Sequence, residues 1–385
     1  MSPTIAERRG RRALGAANAG RPAGSMAPLV GVLAHRLGPA LVGPTEARAL
    51  TAVASEVPRA LGQGCYFECR LRDDAPLVDL SFEVTRERGV MLSGGEAEAD
   101  FATALTARPA WQRVRSWSAA WSGGVWRDLV RAVWLEFDVD SARGARALPP
   151  VPGVFLEFDH GAMALLAPND RAATLITLAT SLRGRSMSRV AAAAMRRTLG
   201  ELPETAAVAQ LGIMLGRNDD FTRLCLTGFS HAAAVDYLVC VGATGVSRPE
   251  LGAWLEHSWC GAIHRGVGLL HVDVDARVHA RVGWEYTLQR GRQYAGALDE
   301  TPFLDALVAQ QLCTPVKRDA LLAWCGRELV TLAGDLLPTL VFRRINHIKV
   351  VHGAGMAPEA KAYLCALAFA SHRTSVGASL LPLTS

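Results

Sequence analysis

Along this chain, short blocks in which apolar and polar residues alternate are separated by blocks with helical spacing. Val78, Leu80 and Phe82 alternate with Asp79, Ser81 and Glu83, which predicts a strand over residues 77–84 with one apolar and one polar face. Residues 133–139 behave alike, with Leu135, Phe137 and Val139 set against Glu136 and Asp138. A partner strand is expected at 153–158, after a connection carrying glycine and three prolines. Strands at 210–215 and 221–229 flank Gly216-Arg217-Asn218-Asp219-Asp220, whose Asn and Asp suit a turn. The longest alternation covers 270–282. There His271, Asp273, Asp275, Arg277, His279 and Arg281 share one parity and Val272, Val274, Ala276, Val278 and Ala280 the other, which predicts one long strand. Strands at 340–351 and 360–368, joined through 353–358, close the chain.

Helical spacing predicts helices at 46–61, 111–132, 187–202, 231–241, 250–263, 301–312 and 318–327, with Gly123-Gly124 breaking or bending the second. Trp117 and Trp121 are four apart and share a face, as core residues do. The order helix, strand, strand, helix therefore recurs. Paired strands close in sequence pair antiparallel. A sheet of roughly ten strands curls, and closure removes its edges. The fold expected is α+β: an antiparallel β-barrel of αββα units, jacketed by helices, with the apolar parity under the helices and the polar parity in the lumen.

Composition narrows the class. Of 385 residues, 50% are apolar, and no apolar run of membrane-spanning length is free of charged or polar breaks. The net charge is +5, but residues 1–25 hold five arginines against Glu7, leaving 36 basic and 35 acidic groups in the rest. A neutral body lacks the basic face that nucleic acid needs, so no nucleic-acid or membrane partner is expected. Arg8-Arg9 and Arg11-Arg12 are not followed by an export signal's long apolar stretch and cleavage site. Residues 1–25 are expected to be a disordered Arg/Ala/Gly arm, or translation starts at Met26. Residues 26–370 form one domain and 371–385 a tail. Eight scattered cysteines without a secretory signal point to free thiols in a reducing cytoplasm.

Several rows of side chains carry candidate chemistry. His271, Asp273, Asp275 and His279 form a titratable row, in which a histidine beside a carboxylate can shuttle protons. Glu136, Asp138, Glu157 and Asp159 lie on paired strands and would shift one another's pKa if they faced each other. His257, Cys260 and His264 have a helical spacing compatible with a soft metal, but a fourth ligand is lacking, and no metal or cofactor is expected. No phosphate-binding glycine loop, nucleophile elbow or His-Glu-x-x-His motif occurs.

Short stretches in order along 76–366 resemble the αββα-barrel aromatic prenyltransferases, particularly the bacterial indole prenyltransferases. Val78-Asp79-Leu80-Ser81 is similar to the family's Val-Glu-Phe-Ser, whose carboxylate binds the aromatic acceptor's N–H. Pro152-Gly153-Val154-Phe155-Leu156-Glu157 resembles Pro-Gly-Val-Lys-Val-Tyr, and Arg223-Leu224-Cys225-Leu226-Thr227 resembles Arg-Val-Lys-Ile-Tyr. The hairpin from Val350 through Lys361-Ala362-Tyr363-Leu364 resembles the family's last. The resemblance implies a diphosphate site and an allyl-cation shield. Here, however, Phe155 and Cys225 stand for its lysines, Glu157 and Thr227 for its tyrosines, and only Arg223, Lys361 and Tyr363 keep register. A diphosphate would meet Glu157, with Glu136 and Asp138, at close range.

Val133-Trp134-Leu135-Glu136-Phe137-Asp138 and His347-Ile348-Lys349 also resemble the third component of class V lanthipeptide synthetases. Together these likenesses imply a peptide-tailoring enzyme of the kind of a metal-independent lanthionine cyclase acting on a precursor peptide. His271, Asp273, Arg223, Tyr363 and Lys361 would be its catalytic set, and Asp79, Glu136, Asp138, Glu157, Cys225, Glu285, His347 and Lys349 its substrate-binding set. One alternative is an aromatic prenyltransferase using an allylic diphosphate. The other is a non-catalytic scaffold for biosynthetic enzymes, docking through residues 111–126.

Overall fold

The computed structural model describes residues 24–94, 107–139, 151–217, 221–243, 245–258, 268–287 and 300–370. Most of the arm at 1–25, the tail at 371–385, Asn218-Asp219-Asp220, Cys260 and His264 lie outside them.

Strands β1 (Gly64–Arg70), β2 (Val78–Thr85), β3 (Val130–Phe137), β4 (Gly153–Phe158), β5 (Ala207–Met214), β6 (Thr222–Thr227), β7 (Leu269–Val274), β8 (Val278–Thr287), β10 (Thr339–Gly353) and β11 (Met356–Ala370) pair antiparallel around a closed barrel. Pairing of β11 with β1 closes the ring. The short β9 (Gly326–Val330) adds to the free half of the 15-residue β10. The closure requires glycine at the first position of β1. A Cβ on Gly64 would lie 2.0 Å from the Ala366 carbonyl oxygen, a backbone atom that cannot step aside.

Helices α1 (Ala27–Leu37), α2 (Pro44–Ser55), α3 (Gly89–Ser93), α4 (Pro109–Ser122), α5 (His160–Ala164), α6 (Pro168–Arg183), α7 (Arg189–Gly200), α8 (His231–Cys240), α9 (Arg248–Ser258), α10 (Thr301–Ala309) and α11 (Pro315–Trp324) jacket the barrel. The main core lies between strands and helices. Phe67, Leu80, Leu135, Leu156, Leu224, Val272, Trp284 and Leu364 point outward into it. None of the helices among the described residues is long and apolar enough to cross a membrane.

Four expectations change. The alternation at 270–282 is a hairpin, β7 and β8, turning at Asp275-Ala276-Arg277, where Arg277 N–H donates to Asp275 Oδ1 at 3.0 Å. The turn preserves parity, so the alternation runs through it without a break, and no glycine or proline marks it. Asp275 and His279 therefore pair with each other at the hairpin tip, 2.9 Å apart, and do not extend the lumenal row. The tryptophan-rich region is helix only to Ser122, and β3 begins at Val130. Trp111, Trp117 and Trp121 are buried, and Trp121 Nε1–H donates to the Val130 carbonyl at 2.9 Å, so they pack the core instead of forming a docking face. The predicted helix at 318–327 ends at Trp324 and gives way to β9.

Candidate active site

Residues of one parity on adjacent strands face the same side, and closure turns that side into a lumen. β1 contributes Tyr66 and Glu68, β3 Trp134 and Glu136, β6 Arg223 and Cys225, β7 His271 and Asp273, β8 Glu285, β10 His347 and Lys349, and β11 Lys361 and Tyr363. The register sets Glu68 opposite Tyr363, Arg223 opposite Asp273, Cys225 opposite His271 and Lys349 opposite both Glu285 and Lys361.

Glu68 is the hub. It accepts hydrogen bonds from Lys361 Nζ at 2.6 Å and from the Tyr363 hydroxyl. Burial works against its charge, but the Lys361 and Lys349 ammonium groups outweigh that and hold its pKa well below the usual range. Lys349 lies over the Tyr363 ring at 4.7 Å, with no carboxylate within ion-pair distance among the described residues. Burial lowers its pKa, Glu68 offsets part of this, and facing Lys361 adds to it. Lysines directly opposite each other on paired strands repel. Glu68 makes that arrangement tolerable.

The arginines are clasped. Arg223 forms a bidentate pair with Asp273 at 2.7 and 2.9 Å. Arg217 grips Asp138 at 2.7 and 2.5 Å and reaches Glu136 at 3.5 Å. Arg70 pairs with Asp79 at 3.0 Å and Glu359 at 3.4 Å. Asp79 also accepts from the Val139 N–H at 2.9 Å. Burial, and next the Glu68 charge, push Asp79 up to about 6. Burial and then Glu68 also raise Glu136.

Deeper in the lumen, His271 Nε2 lies 3.0 Å from Glu285 Oε2, and its Nδ1 lies 3.3 Å from Cys225 Sγ. Burial, then Lys349 and Arg223, hold His271 well below the usual histidine range, so it is neutral. His347 stacks on Tyr363 with centroids 4.0 Å apart, and its Nδ1 lies 3.4 Å from Glu285 Oε1. Gly283 makes room for this layer: a Cβ there would sit 3.2 Å from His271 Cβ and 3.4 Å from Lys349 Cδ. Phe155, Met214 and Cys225 form a small apolar cluster with Trp134, Phe221 and Leu269 packed on it.

A cavity opens above this layer. Its polar wall is Glu68, Glu136, Arg217, Arg223, His271, Asp273, Arg281, Lys349 and Lys361, five cations against three carboxylates. Its free volume is about 40 Å³. At roughly 10–15 Å³ per water, that holds a few waters and no larger ligand without rearrangement. Arg217 and Arg281 stand at the mouth, their side chains 32% and 44% exposed, and the nearest carboxylate to Arg281 is Glu359 at 3.7 Å.

No family model and no curated protein sequence matches the chain. Solved structures do. The prenyltransferase PriB, in a ternary complex with L-tryptophan and dimethylallyl thiolodiphosphate, matches 88% of this chain and 94% of its own at 17% identity and a TM-score of 0.51. A 6-dimethylallyltryptophan synthase from Micromonospora olivasterospora, in complex with DMASPP and Trp, matches 88% and 96% at 16% identity and a TM-score of 0.51. PriB without ligands gives 15% identity and 0.50. The chain has the fold of the αββα prenyltransferase barrel.

Within that barrel most of the expected residues converge. Glu136, Arg223, His271, Asp273, Lys349 and Lys361 line the cavity, while Cys225, Glu285, His347 and Tyr363 lie in contact with that wall. Asp79 and Asp138 sit toward its rim, held by arginines. Glu157 does not face Glu136, as expected, nor line the cavity. Glu136 pairs with Gly153, and Glu157 lies four residues further along β4, bound by Trp134 Nε1–H at 2.8 Å and by Arg131. Asp159 leaves the strand and caps α5, accepting from Ala162 N–H at 3.0 Å. The helically spaced His257, Cys260 and His264 fall largely outside the described residues. β1, with Glu68, Tyr66 and Arg70, is not among the strands expected from the sequence. Their signal was present: Tyr66, Glu68 and Arg70 alternate with Cys65, Phe67 and Cys69. Arg217 and Arg281 were likewise not singled out.

Proposed function

We propose that the lumen is the active site of a transferase that takes an allylic diphosphate and an aromatic acceptor. The observation that carries this reading is the excess of cations over carboxylates around one cavity at the mouth of a prenyltransferase-type barrel. Positioned cations stabilise the diphosphate as it leaves, the charge-stabilising part of such a transfer. Arg217, Arg281 and Lys349 would hold it, with Arg223 and Lys361 exchanging carboxylate for phosphate oxygens. Bidentate arginine geometry serves either anion. Asp79, at the position of the family's acceptor-binding carboxylate, would receive the acceptor's N–H. Phe155 and Cys225, at the family's lysine positions, keep the diphosphate high in the lumen. The seven described cysteines are free, consistent with action in a reducing cytoplasm.

Binding calorimetry with dimethylallyl and geranyl diphosphates, with and without Mg²⁺, tests this. Micromolar binding that Arg217→Met weakens at least tenfold is expected. Absence of binding at millimolar ligand overturns it.

A second reading, ring closure on a dehydrated precursor peptide, is favoured by one observation. The arginines are already neutralised by carboxylates, while His271, Tyr363 and Lys349 supply a base, an acid and a cation without a metal. Omitting the protein from a reconstituted maturation reaction would then abolish ring formation. Unchanged ring formation sinks this reading.

A further inference from the structure

Cys225, His271 and Glu285 project from β6, β7 and β8 into the same layer of the lumen. Sγ to Nδ1 is 3.3 Å and Nε2 to Oε2 is 3.0 Å. As a carboxylate, Glu285 can only accept, so Nε2 carries the imidazole proton and Nδ1 is left as an acceptor facing the thiol. A nucleophile, a base within reach and a third group that orients the base form the arrangement of nucleophilic catalysis. His347, 3.4 Å from the other Glu285 oxygen, fixes the carboxylate from the opposite side. Two surroundings define what would react. The sulfur itself is buried in the Phe155–Met214 cluster, against which Trp134 and Phe221 pack, so its immediate surroundings are apolar. The cavity, lined by His271, Lys349 and Arg223 but not by Cys225, admits only waters as it stands, so a reagent reaches the sulfur only as this layer rearranges.

We propose that Cys225 is a covalent nucleophile toward small α,β-unsaturated carbonyl compounds, with His271 as its base and Glu285 as the group that orients the base. His271 Nδ1 takes the thiol proton as Sγ bonds to the β-carbon. The π pair moves through the α-carbon onto the carbonyl oxygen, where the Lys349 ammonium group balances the enolate charge. The proton then passes from Nδ1–H to the α-carbon, leaving a saturated thioether and neutral imidazole. No oxidant, metal or leaving group enters the balance. The proposal does not depend on diphosphate binding, and its test contains none.

The folded protein is treated with acrylamide and, separately, with acrylate, and the adduct at each cysteine is followed by peptide mass spectrometry. Exposed Cys240 serves as an ordinary thiol, and Cys69, buried in the main core, reports unfolding. Cys240 reacts through its thiolate, so its rate climbs about tenfold per pH unit below its pKa. Cys225, deprotonated by neutral His271, is expected to react at a rate flat between about pH 6 and pH 8 and at least tenfold faster than Cys69. His271→Ala lowers the Cys225 rate about tenfold and Glu285→Gln several-fold, with Cys69 labelling unchanged. The proposal is overturned if Cys225 reacts no faster than Cys69, if its rate climbs with pH as that of Cys240 does, or if His271→Ala leaves it unchanged.

Discussion

Glu68→Gln isolates the central electrostatic arrangement of the lumen. The amide keeps the shape and still accepts from the Tyr363 hydroxyl, but it removes the only carboxylate within 3 Å of Lys361 Nζ among the described residues. Lys361 is left with Glu359 at 3.9 Å, and Lys349, which has no carboxylate within ion-pair distance among the described residues, still faces Lys361 across the strand pair. Breaking a buried pair from one side costs about 3–5 kcal/mol, because the surviving charge is left uncompensated. With an unfolding entropy of about 2 cal/mol/K per residue, that lowers Tm by roughly 4–6 °C. Neutralising both sides should restore most of it, since replacing an entire buried pair by apolar groups is close to neutral. Urea unfolding followed by tryptophan fluorescence, on wild type, Glu68→Gln, Lys361→Met and the double variant, measures the coupling. The folded-state pKa of Glu68 is depressed, so its contribution is present above the unfolded carboxylate value and lost as pH falls through the folded one. The gap between wild type and Glu68→Gln must therefore narrow on acidification. A cost below about 1 kcal/mol for Glu68→Gln, or a double variant no better than the singles combined, would refute the hub.

Asp79 carries the opposite sign. Its pKa is raised from 3.8 to about 6, so the group favours the folded state at low pH and costs stability as pH rises through that interval. Asp79→Asn should gain stability relative to wild type between about pH 4 and pH 6.5 in the same urea assay, and a parallel pH dependence would contradict the assignment. Gly64→Ala should destabilise by at least about 2 kcal/mol and loosen the β1–β11 seam, seen as faster amide exchange in β1, because the clash is with backbone. Wild-type exchange there would show that the seam yields. Lys317 Nζ, almost wholly buried, donates to the Arg70 and Ala75 carbonyls at 2.7 Å each. Lys317→Met removes a charged donor from both carbonyls, leaving that of Ala75 only the Leu77 N–H at 2.9 Å, and should cost about 2–4 kcal/mol, measured as a fall in the urea midpoint with unchanged slope.

Much of the barrel was legible because strand alternation is a local signal. The polar parity of residues 133–139, 221–227 and 269–285 is the lumenal parity, and the last hairpin was found from its own residues. Two local signals misled for physical reasons. The β7–β8 turn keeps parity and lacks glycine or proline, so two strands passed for one. β1 is only seven residues long, and its inward face mixes Tyr66 with Glu68 and Arg70, which hides its alternation among buried positions. The tryptophans of α4, by contrast, have the spacing of a core face, and that face is turned inward. Closeness in sequence between acidic residues also says nothing of closeness across a sheet. Glu136 and Glu157, on neighbouring strands, are separated along the barrel by the antiparallel register, which pairs Glu136 with Gly153.

By itself, the sequence determined the alternating strands, the helices between them and therefore an α+β barrel with a polar interior, since both periods are properties of neighbouring residues. Its resemblance to the prenyltransferases further implied Phe155, Glu157, Cys225 and Thr227 in place of lysines and tyrosines, and of these Phe155 and Cys225 pack together in one apolar cluster. Only the tertiary structure decided which charges meet. Glu68 and Lys361 are 293 residues apart, and Arg223 and Asp273 are 50 apart. Pairing at such separations follows from strand register and closure, which depend on the whole ring. The alignment of Cys225, His271 and Glu285 arises the same way, from three strands fixed side by side.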